Sequence, residues 1–404
     1  MKWASAISTQ DTIEACIEEA TQSIKKQLSG KLADLTIVFV SPHFAGDYQK
    51  IPLIIRERME PGLFFGCSGG GIIGAGKEVE QQPAFSITAA HLPGVKVQPV
   101  QTDTLELPDQ DTGPGVWRDW LGVSAESHPH FIFLADPFSF RGEEFLAGLD
   151  FAYPNSKKVG GLASGAQTQG GNALYLGNEI YSEGLVGVAL SGNIELDTIV
   201  AQGCRPIGQP LKITQCQQNM LQKLDNAPPM EVLQEINETL NENDRNLMKT
   251  SLFLGIEMDP LKDDPQRGDF LIRNLMGVDH QSGALAIGAM LREGQLVQFH
   301  LRDKVMSAED LDVMLNRYHS GGKADDACGA LLFSCLGRGQ YLYGKPNHDT
   351  DMFRDKMGEI PLGGFFCNGE IGPVGNTTFL HGYTSSFGIF RPQPEKVEGE
   401  QVSR

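Results

Sequence analysis

The sequence predicts an α+β protein, with mixed β-sheets flanked by helices and built from two related halves. Three observations lead there. Strand-length apolar runs alternate with helix-like segments along most of the 404 residues. A strand–helix–strand order occurs three times, each time with a similar ending: Cys67-Ser68-Gly69, Ala163-Ser164-Gly165 and Cys367-Asn368-Gly369. Apolar runs split by Gly, Asn and Pro follow each ending, which is the pattern of hairpins.

The elements follow in order. Ile13, Ile17, Ala20, Ile24 and Leu28 recur at helical spacing, and Gly30 marks a stop. Residues 35–40 read as a buried strand ended by Ser41-Pro42. Residues 51–59 suit a short helix before a strand at 62–65. The second occurrence places a strand at 131–134, a helix at 143–151 and a strand at 159–162. The third places them at 330–333, 351–357 and 361–366. Hairpin-like strands are expected at 83–91 and 95–100, at 172–176, 183–190 and 198–202, and at 377–383 and 386–390. Asn226-Ala227-Pro228-Pro229 reads as a linker into helices at 230–241 and 245–249. Strands are expected at 251–256, 270–275, 284–291 and 295–301. A helix opens with the capping-box-like Ser307-Ala308-Glu309-Asp310 and closes at Gly321-Gly322. Residues after Pro392 read as a polar tail.

Composition narrows the function. Lys+Arg 33 against Asp+Glu 51 gives a net charge of −18. Without a cationic cluster to displace phosphate counterions, nucleic acid and anionic membrane surfaces are disfavoured as partners. A 40% hydrophobic content supplies a core. The longest apolar runs are of strand length, so no membrane-spanning helix is expected, and the N-terminus lacks a signal-peptide pattern. Seven cysteines without a C-x-x-C pair suit a reduced, cytoplasmic protein. The 47 glycines imply many tight turns or backbone brought close to something.

Gly66-Cys67-Ser68-Gly69-Gly70 fits G-x-S-x-G, but that elbow needs a helix behind it. Gly71, Gly74, Gly76 and Pro83 oppose one. Gly69-Gly70-Gly71-Ile72-Ile73-Gly74 fits G-x-G-x-x-G, again without a helix, and no acid follows for a ribose between Gln81 and Gln101. A glycine turn leading into a hairpin is the better reading, and its N–H groups suit a carboxylate. Arg338 stands between glycines beyond a buried strand, either as a loop arginine or as a fork for carboxylate or phosphate. Glu370 interrupts an apolar, glycine-rich segment, where it needs a cation or a ligand amine. Arg338 is its intrachain partner if the two loops meet. His381 reads as a core histidine, and His128-Pro129-His130 lacks a third metal ligand.

These segments resemble the FIST family. The likeness rests on Gly66-Cys67-Ser68-Gly69-Gly70-Gly71-Ile72, on Phe333-Ser334-Cys335-Leu336-Gly337-Arg338-Gly339, and on the run from Gly364 to Pro373 with its Gly-Glu-Ile-Gly-Pro element, followed by Leu380-His381-Gly382-Tyr383-Thr384. The family is a sensory domain of bacterial signalling proteins and of some eukaryotic F-box proteins. The resemblance implies an N-terminal FIST domain over 1–225, a C-terminal one over 226–391 and a tail over 392–404. It also implies a small-ligand-binding sensory protein for signal transduction, whose ligand is an amino acid or similar polar metabolite. No output module fits in the remaining residues, so a separate signalling partner is expected.

Candidate ligand-binding positions are Cys67, Ser68, Gly69, Gly70, Gly71, Arg338, Cys367, Asn368, Glu370 and His381. Arg338, assisted by the Gly69–Gly71 amides, would receive a carboxylate and Glu370 an ammonium, while Asn368 and Ser68 adjust hydrogen bonding. Two other readings stay open. One is a haem-binding gas sensor with His43, His381 or Cys67 as axial donor. The other is an acyl-transfer or thiol enzyme acting through Cys67 or Ser68, for which no catalytic base is placed.

Overall fold

Three units with the same chain order make the body of the protein. The computed structural model describes residues 1–394 apart from 104–105, 263–264 and 267, so most of the expected tail lies outside the described residues. Unit one runs β1 (Lys2–Ser8), α1 (Ile13–Leu28), β2 (Leu35–Val40), α2 (Ile51–Arg58), β3 (Leu63–Ser68), a hairpin of β4 (Gly71–Gly74) and β5 (Lys77–Glu80), then β6 (Phe85–His91). Unit two repeats it with β7 (Val95–Thr102), α3 (Pro114–Leu121), β8 (His130–Ala135), α4 (Gly142–Ala152), β9 (Lys158–Leu162), the hairpin β10 (Leu174–Leu176) and β11 (Glu179–Tyr181), and β12 (Leu185–Gly192).

Unit three opens with β13 (Glu195–Gln202) and is then interrupted. The insert holds β14 (Cys204–Gln217), β15 (Met220–Leu224), α5 (Pro229–Thr239), α6 (Glu242–Met248), β16 (Leu252–Glu257), β17 (Phe270–Val278), β18 (Leu285–Ile287) and β19 (Leu296–Arg302). Its six strands close into a barrel in the order β14-β15-β18-β17-β16-β19. The unit then resumes with α7 (Lys304–Ser320), β20 (Gly329–Cys335), α8 (Gly339–Tyr343), α9 (His348–Met357), β21 (Leu362–Cys367), the hairpin β22 (Glu370–Val374) and β23 (Thr377–His381), and β24 (Thr384–Arg391). The helix expected to open at Ser307 starts earlier, because Asp303 caps it by accepting from the Val305 N–H at 2.8 Å. Ser307 instead donates to the Gly203 carbonyl.

Each unit contributes one parallel pair, β2/β3, β8/β9 or β20/β21, flanked by antiparallel strands. The hairpin after each pair leaves its own sheet. The sheet orders are β1-β6-β2-β3-β10-β11, β7-β12-β8-β9-β22-β23 and β13-β24-β20-β21-β4-β5, so unit one lends its hairpin to sheet three, unit two to sheet one and unit three to sheet two. The mixed α and β content is that of the α+β class in two related halves, within which one chain order recurs three times.

Strand periodicity of two explains the layering. Phe39 and Phe65 of sheet one, Ile132 and Leu134 of sheet two, and Phe333 and Phe365 of sheet three meet in one central core. The alternate residues pack outward under helices: Val38 and Val40 under α1 and α2, Phe131 and Phe133 with α3 and α4, Leu332 and Phe366 with α7 and α9. Gly160 and Gly364 hold equivalent places in β9 and β21, at φ 154° and 150°. A Cβ there would overlap the carbonyl oxygen of Phe133 or Leu332 on the neighbouring strand, so only glycine fits.

Candidate functional site

The three similar endings meet where the hairpins change sheets. Ser164 N–H donates to the Ser68 carbonyl at 3.2 Å, and Gly70 N–H to Ser164 Oγ at 2.8 Å. Ser164 Oγ donates to the Phe366 carbonyl. Asn368 donates through its backbone N–H to Leu162 O and through Nδ2 to Ala163 O, each at 3.1 Å. Small residues recur there because three chain crossings share little space. A Cβ on Gly70 would lie 2.7 Å from Leu336 Cδ2, and one on Gly165 would lie 2.5 Å from Ser68 Cβ.

That geometry corrects several expectations. The Gly69 and Gly70 amides are committed to Val40 O and Ser164 Oγ and are not open to a carboxylate. Gly71 lies in the ladder between Phe366 and Glu80. Ser68 Oγ donates to Asn172 Oδ1 at 3.2 Å and accepts from Ala173 N–H at 3.0 Å. Cys67 is enclosed in the central core, where burial pushes its thiol pKa well up. A strand, β4, follows Ser68, so the elbow and dinucleotide readings both lack their helix. The haem donors do not fit either: His43 is exposed, Cys67 is enclosed, and His381 Nε2 is 2.9 Å from Gly372 O, with burial pushing its pKa down to about 4.

The remaining chemistry gathers at the C-terminal ends of β20 and β21, beneath the barrel. Arg338 directly follows β20 and is fully enclosed. Its partner is Asp349 of α9 rather than Glu370: Nε donates to Oδ2 at 2.8 Å and Nη2 to Oδ1 at 3.1 Å, and Nη2 also reaches Tyr343 Oη at 2.6 Å. Asp349 further accepts from Ser385 Oγ at 2.6 Å, and its Oδ1 lies 3.0 Å from His348 Nδ1. Burial alone would raise the Asp349 pKa. The Arg338 charge and these hydrogen bonds prevail and hold it well below the usual carboxylate range.

Glu370 opens β22 and is also fully enclosed. Oε2 accepts from Thr384 Oγ1 at 2.8 Å and Thr384 N–H at 3.1 Å, while Oε1 faces Cys367 Sγ at 3.6 Å. Burial pushes its pKa up to about 7 against those hydrogen bonds and the weaker field of Arg338. Cys335 is half-buried, and the N–H groups of Gly337 and Tyr383 face its sulfur. Tyr383 sits at φ 68°, a left-handed conformation uncommon for a tyrosine.

Arg302, the last residue of β19, completes the group from the barrel side. Its guanidinium carbon lies 4.9 Å from the Tyr383 ring centroid, and only 9% of the residue is exposed. Arg302 Nε and Nη2 and Arg338 Nη1 are buried without a hydrogen-bond partner among the described residues. Arg302 and Tyr383 line a cleft of about 650 Å³ with Phe253, Asn274, Tyr341 and Leu342. A second cleft of about 700 Å³ lies between the barrel, α4 and β23, but its Arg273 is engaged by Leu380 O and Glu143.

The structure therefore brings Arg338, Cys367 and Glu370 to one end of sheet three. Cys67, Ser68 and Gly69–Gly71 lie at the neighbouring crossing, and Asn368 is exposed there. His381 pairs across from Glu370 in the ladder. Sequence reasoning missed Arg302, Asp349 and Thr384. Arg302 ends an ordinary apolar strand, and Asp349 reads as one polar residue among several at a helix start, so neither carries a local signal.

A cleft lined by arginine and aromatic side chains at a joint between domains is of the kind that small ligands occupy. Family models agree: the FIST N domain matches residues 34–227 and the FIST C domain residues 230–373. Similar proteins include an uncharacterised protein of Mycobacterium tuberculosis, 32% identical over 96% of this chain and 100% of the relative. Another, from Mycobacterium bovis, is 30% identical over 95% of this chain and 97% of the relative. The F-box only protein 22 of Homo sapiens is 30% identical over 101 residues, 25% of each chain. The chain belongs to the FIST family, whose domains are associated with small-ligand-binding signal transduction. Among the described residues no helix is long and apolar enough to cross a membrane.

Proposed function

We propose that this protein is a sensor for a small carboxylate-bearing metabolite, an amino acid in the first instance, bound where the barrel meets sheet three. The observation that carries the reading is the set of three guanidinium nitrogens left without hydrogen-bond partners among the described residues, two on Arg302 and one on Arg338. Leaving a buried charged donor unpaired costs more than the ~1–3 kcal/mol typical of a neutral group. A ligand carboxylate would relieve that cost at Arg302 Nε and Nη2, with Arg338 Nη1 beneath. The ammonium group is assigned to Glu370, which is enclosed and outside the cleft lining, and Tyr383 and Phe253 offer apolar walls. A ligand of about ten heavy atoms at roughly −0.8 kcal/mol each reaches ~−8 kcal/mol, near micromolar affinity. Signal output is assigned to a separate partner protein in the cytoplasm.

The test is a thermal-shift screen of amino acids, followed by calorimetry on Arg302→Met. Arg302 Nε and Nη2 have no hydrogen-bond partner among the described residues, so the variant should lose little stability beyond the contact with the Tyr383 ring while affinity falls by about 1.5–3 kcal/mol, roughly 10- to 150-fold. Unchanged affinity for a ligand that binds the wild type would remove Arg302 from the site.

A further inference from the structure

Cys335 and Cys367 end the two parallel strands of sheet three and are register partners across them. Phe333 and Phe365, two residues earlier on each strand, point into the same central core, so the period of two puts both thiols on that face. Neighbouring strands run about 4.8 Å apart, inside the ~4.4–6.8 Å Cα separation that a disulfide bridges. Each thiol lies in the field of Glu370, and that of Cys367 also in the field of Cys335.

The two sulfurs have different surroundings. Cys367 is enclosed and donates to Ser334 O at 3.3 Å and toward Glu370 Oε1 at 3.6 Å. Cys335 is half-buried, faces the N–H groups of Gly337 and Tyr383, and lies in the field of Arg302. The thiol on the less enclosed residue of the pair is cradled for negative charge. The other waits behind it, beside a carboxylate.

We propose that Cys335 and Cys367 form a dithiol redox site, with Cys335 oxidised by a small hydroperoxide and Cys367 resolving the product to a disulfide. In the first step the Cys335 proton passes to Glu370, and the thiolate attacks the peroxide oxygen. An S–O bond forms and the O–O bond breaks. The leaving oxygen takes that proton back from Glu370 and departs as water or alcohol, Cys335 is left as a sulfenic acid, and Glu370 is again a carboxylate. In the second step Cys367 Sγ attacks the Cys335 sulfur, the S–O bond breaks, and the oxygen leaves as water with the Cys367 proton, relayed by Glu370. Overall two thiols lose two electrons and two protons, and one peroxide is reduced.

Burial and the Glu370 charge raise the Cys335 pKa, and Arg302 with the two N–H groups lowers it. Moving the proton to Glu370 removes its repulsion and leaves the negative charge on the sulfur that those donors face. The bridge would tie the segment leading to Arg338 to the segment leading to Glu370. This inference does not depend on what the cleft binds.

Reduced wild-type protein treated with stoichiometric hydrogen peroxide, then alkylated and mapped by mass spectrometry, tests it. The expected product is a cross-link between the peptides holding Cys335 and Cys367, two hydrogens lighter and reversed by dithiothreitol. In Cys367→Ala, Cys335 should instead be trapped by dimedone as the sulfenic acid. Glu370→Gln should form the same bridge at least ~10-fold more slowly. A bridge from Cys335 to Cys204, a sulfonic acid without a cross-link, or thiols that stay fully alkylatable would overturn the proposal. Oxidation of Glu370→Gln at the wild-type rate would overturn the role given to Glu370.

Discussion

Arg338→Met separates the structural work of this arginine from any ligand contact. The substitution keeps most of the side-chain volume and removes three hydrogen bonds, two to Asp349 and one to Tyr343. Asp349 is left fully enclosed, with Ser385 and His348 as its hydrogen-bond partners among the described residues and the Glu78 carboxyl in its field. Removing one partner of a buried ion pair costs about 3–5 kcal/mol, because the survivor has neither its counter-charge nor water. In the wild type Asp349 has a depressed pKa, so its contribution is present above the unfolded value near 3.8 and fades as pH falls below it. Without Arg338, burial instead raises the pKa, and folding then loses stability as pH climbs above ~4. The deficit of Arg338→Met should therefore be large at pH 7.5 and smaller at pH 4. Urea denaturation at the two pH values measures it, with Arg338→Met/Asp349→Leu as the control. Since paired apolar replacement of a buried ion pair is often near neutral, the double variant should recover most of the loss. A single variant as stable as wild type, or a double variant no better than the single, would refute this account of the pair.

Other outcomes follow from the same geometry. Glu370 has a folded pKa of about 7, above its unfolded value, so the folded state holds its proton longer and stability falls as pH rises between ~4.5 and 7. Glu370→Gln should be neutral near pH 4.5 and more stable than wild type at pH 8 by on the order of 2–3 kcal/mol, read from denaturation midpoints; equal stability at both would contradict it. Gly364→Ala and Gly160→Ala should each cost more than ~4 kcal/mol and yield insoluble protein, since the new methyl overlaps a strand carbonyl; soluble variants with wild-type melting would show that the strands shift freely. Residues 1–226 and 227–404 produced separately should each lack a cooperative unfolding transition and regain one when co-expressed. A sharp transition in either half alone would mean the swapped hairpins and shared barrel are not needed for folding.

Local patterns made the repeating strands and helices legible, because each is bounded by residues with a definite backbone role. Thr12 caps α1 as a first-turn acceptor, and a left-handed Ser29 closes it just before the glycine that marked the stop. The three similar endings were visible too, yet their meaning was not. Cys67-Ser68-Gly69 resembles a nucleophile loop in isolation, and only the exchange of hairpins between sheets shows that it is a crowded crossing. The sheet that the β4–β5 hairpin joins was hidden because its partner, β21, lies almost 300 residues away in the chain. Arg338 and Glu370 were found because a lone charge in an apolar, glycine-rich segment is costly and must be compensated. Their partners, Asp349 and Thr384, come from neighbouring elements that look like plain helix and strand ends, so the compensation could not be traced from sequence.

The insert explains why only one of three equivalent units carries this group of charges. In units one and two the chain passes from the first strand to a helix with no such insert between them. Asp136, just after β8, is enclosed and bonded by Ser139 and Asn172. In unit three the first strand runs on through Gly203 into the barrel, and the barrel's last strand returns beside it, with Cys204 paired to Arg302. That pairing delivers Arg302 to the joint, over Tyr383 and close to Gly337, where a Cβ would lie 2.5 Å from Arg302 Nη1. Unit three supplies the buried acid, the thiols and Arg338, while the barrel supplies Arg302 and the far wall of the cleft. The match to the FIST N domain ends at 227 and that to the FIST C domain begins at 230, inside the insert, so both domains contribute strands to the barrel. A ligand held at this joint would contact both, and any change in how the barrel sits on sheet three would be felt first at Arg302.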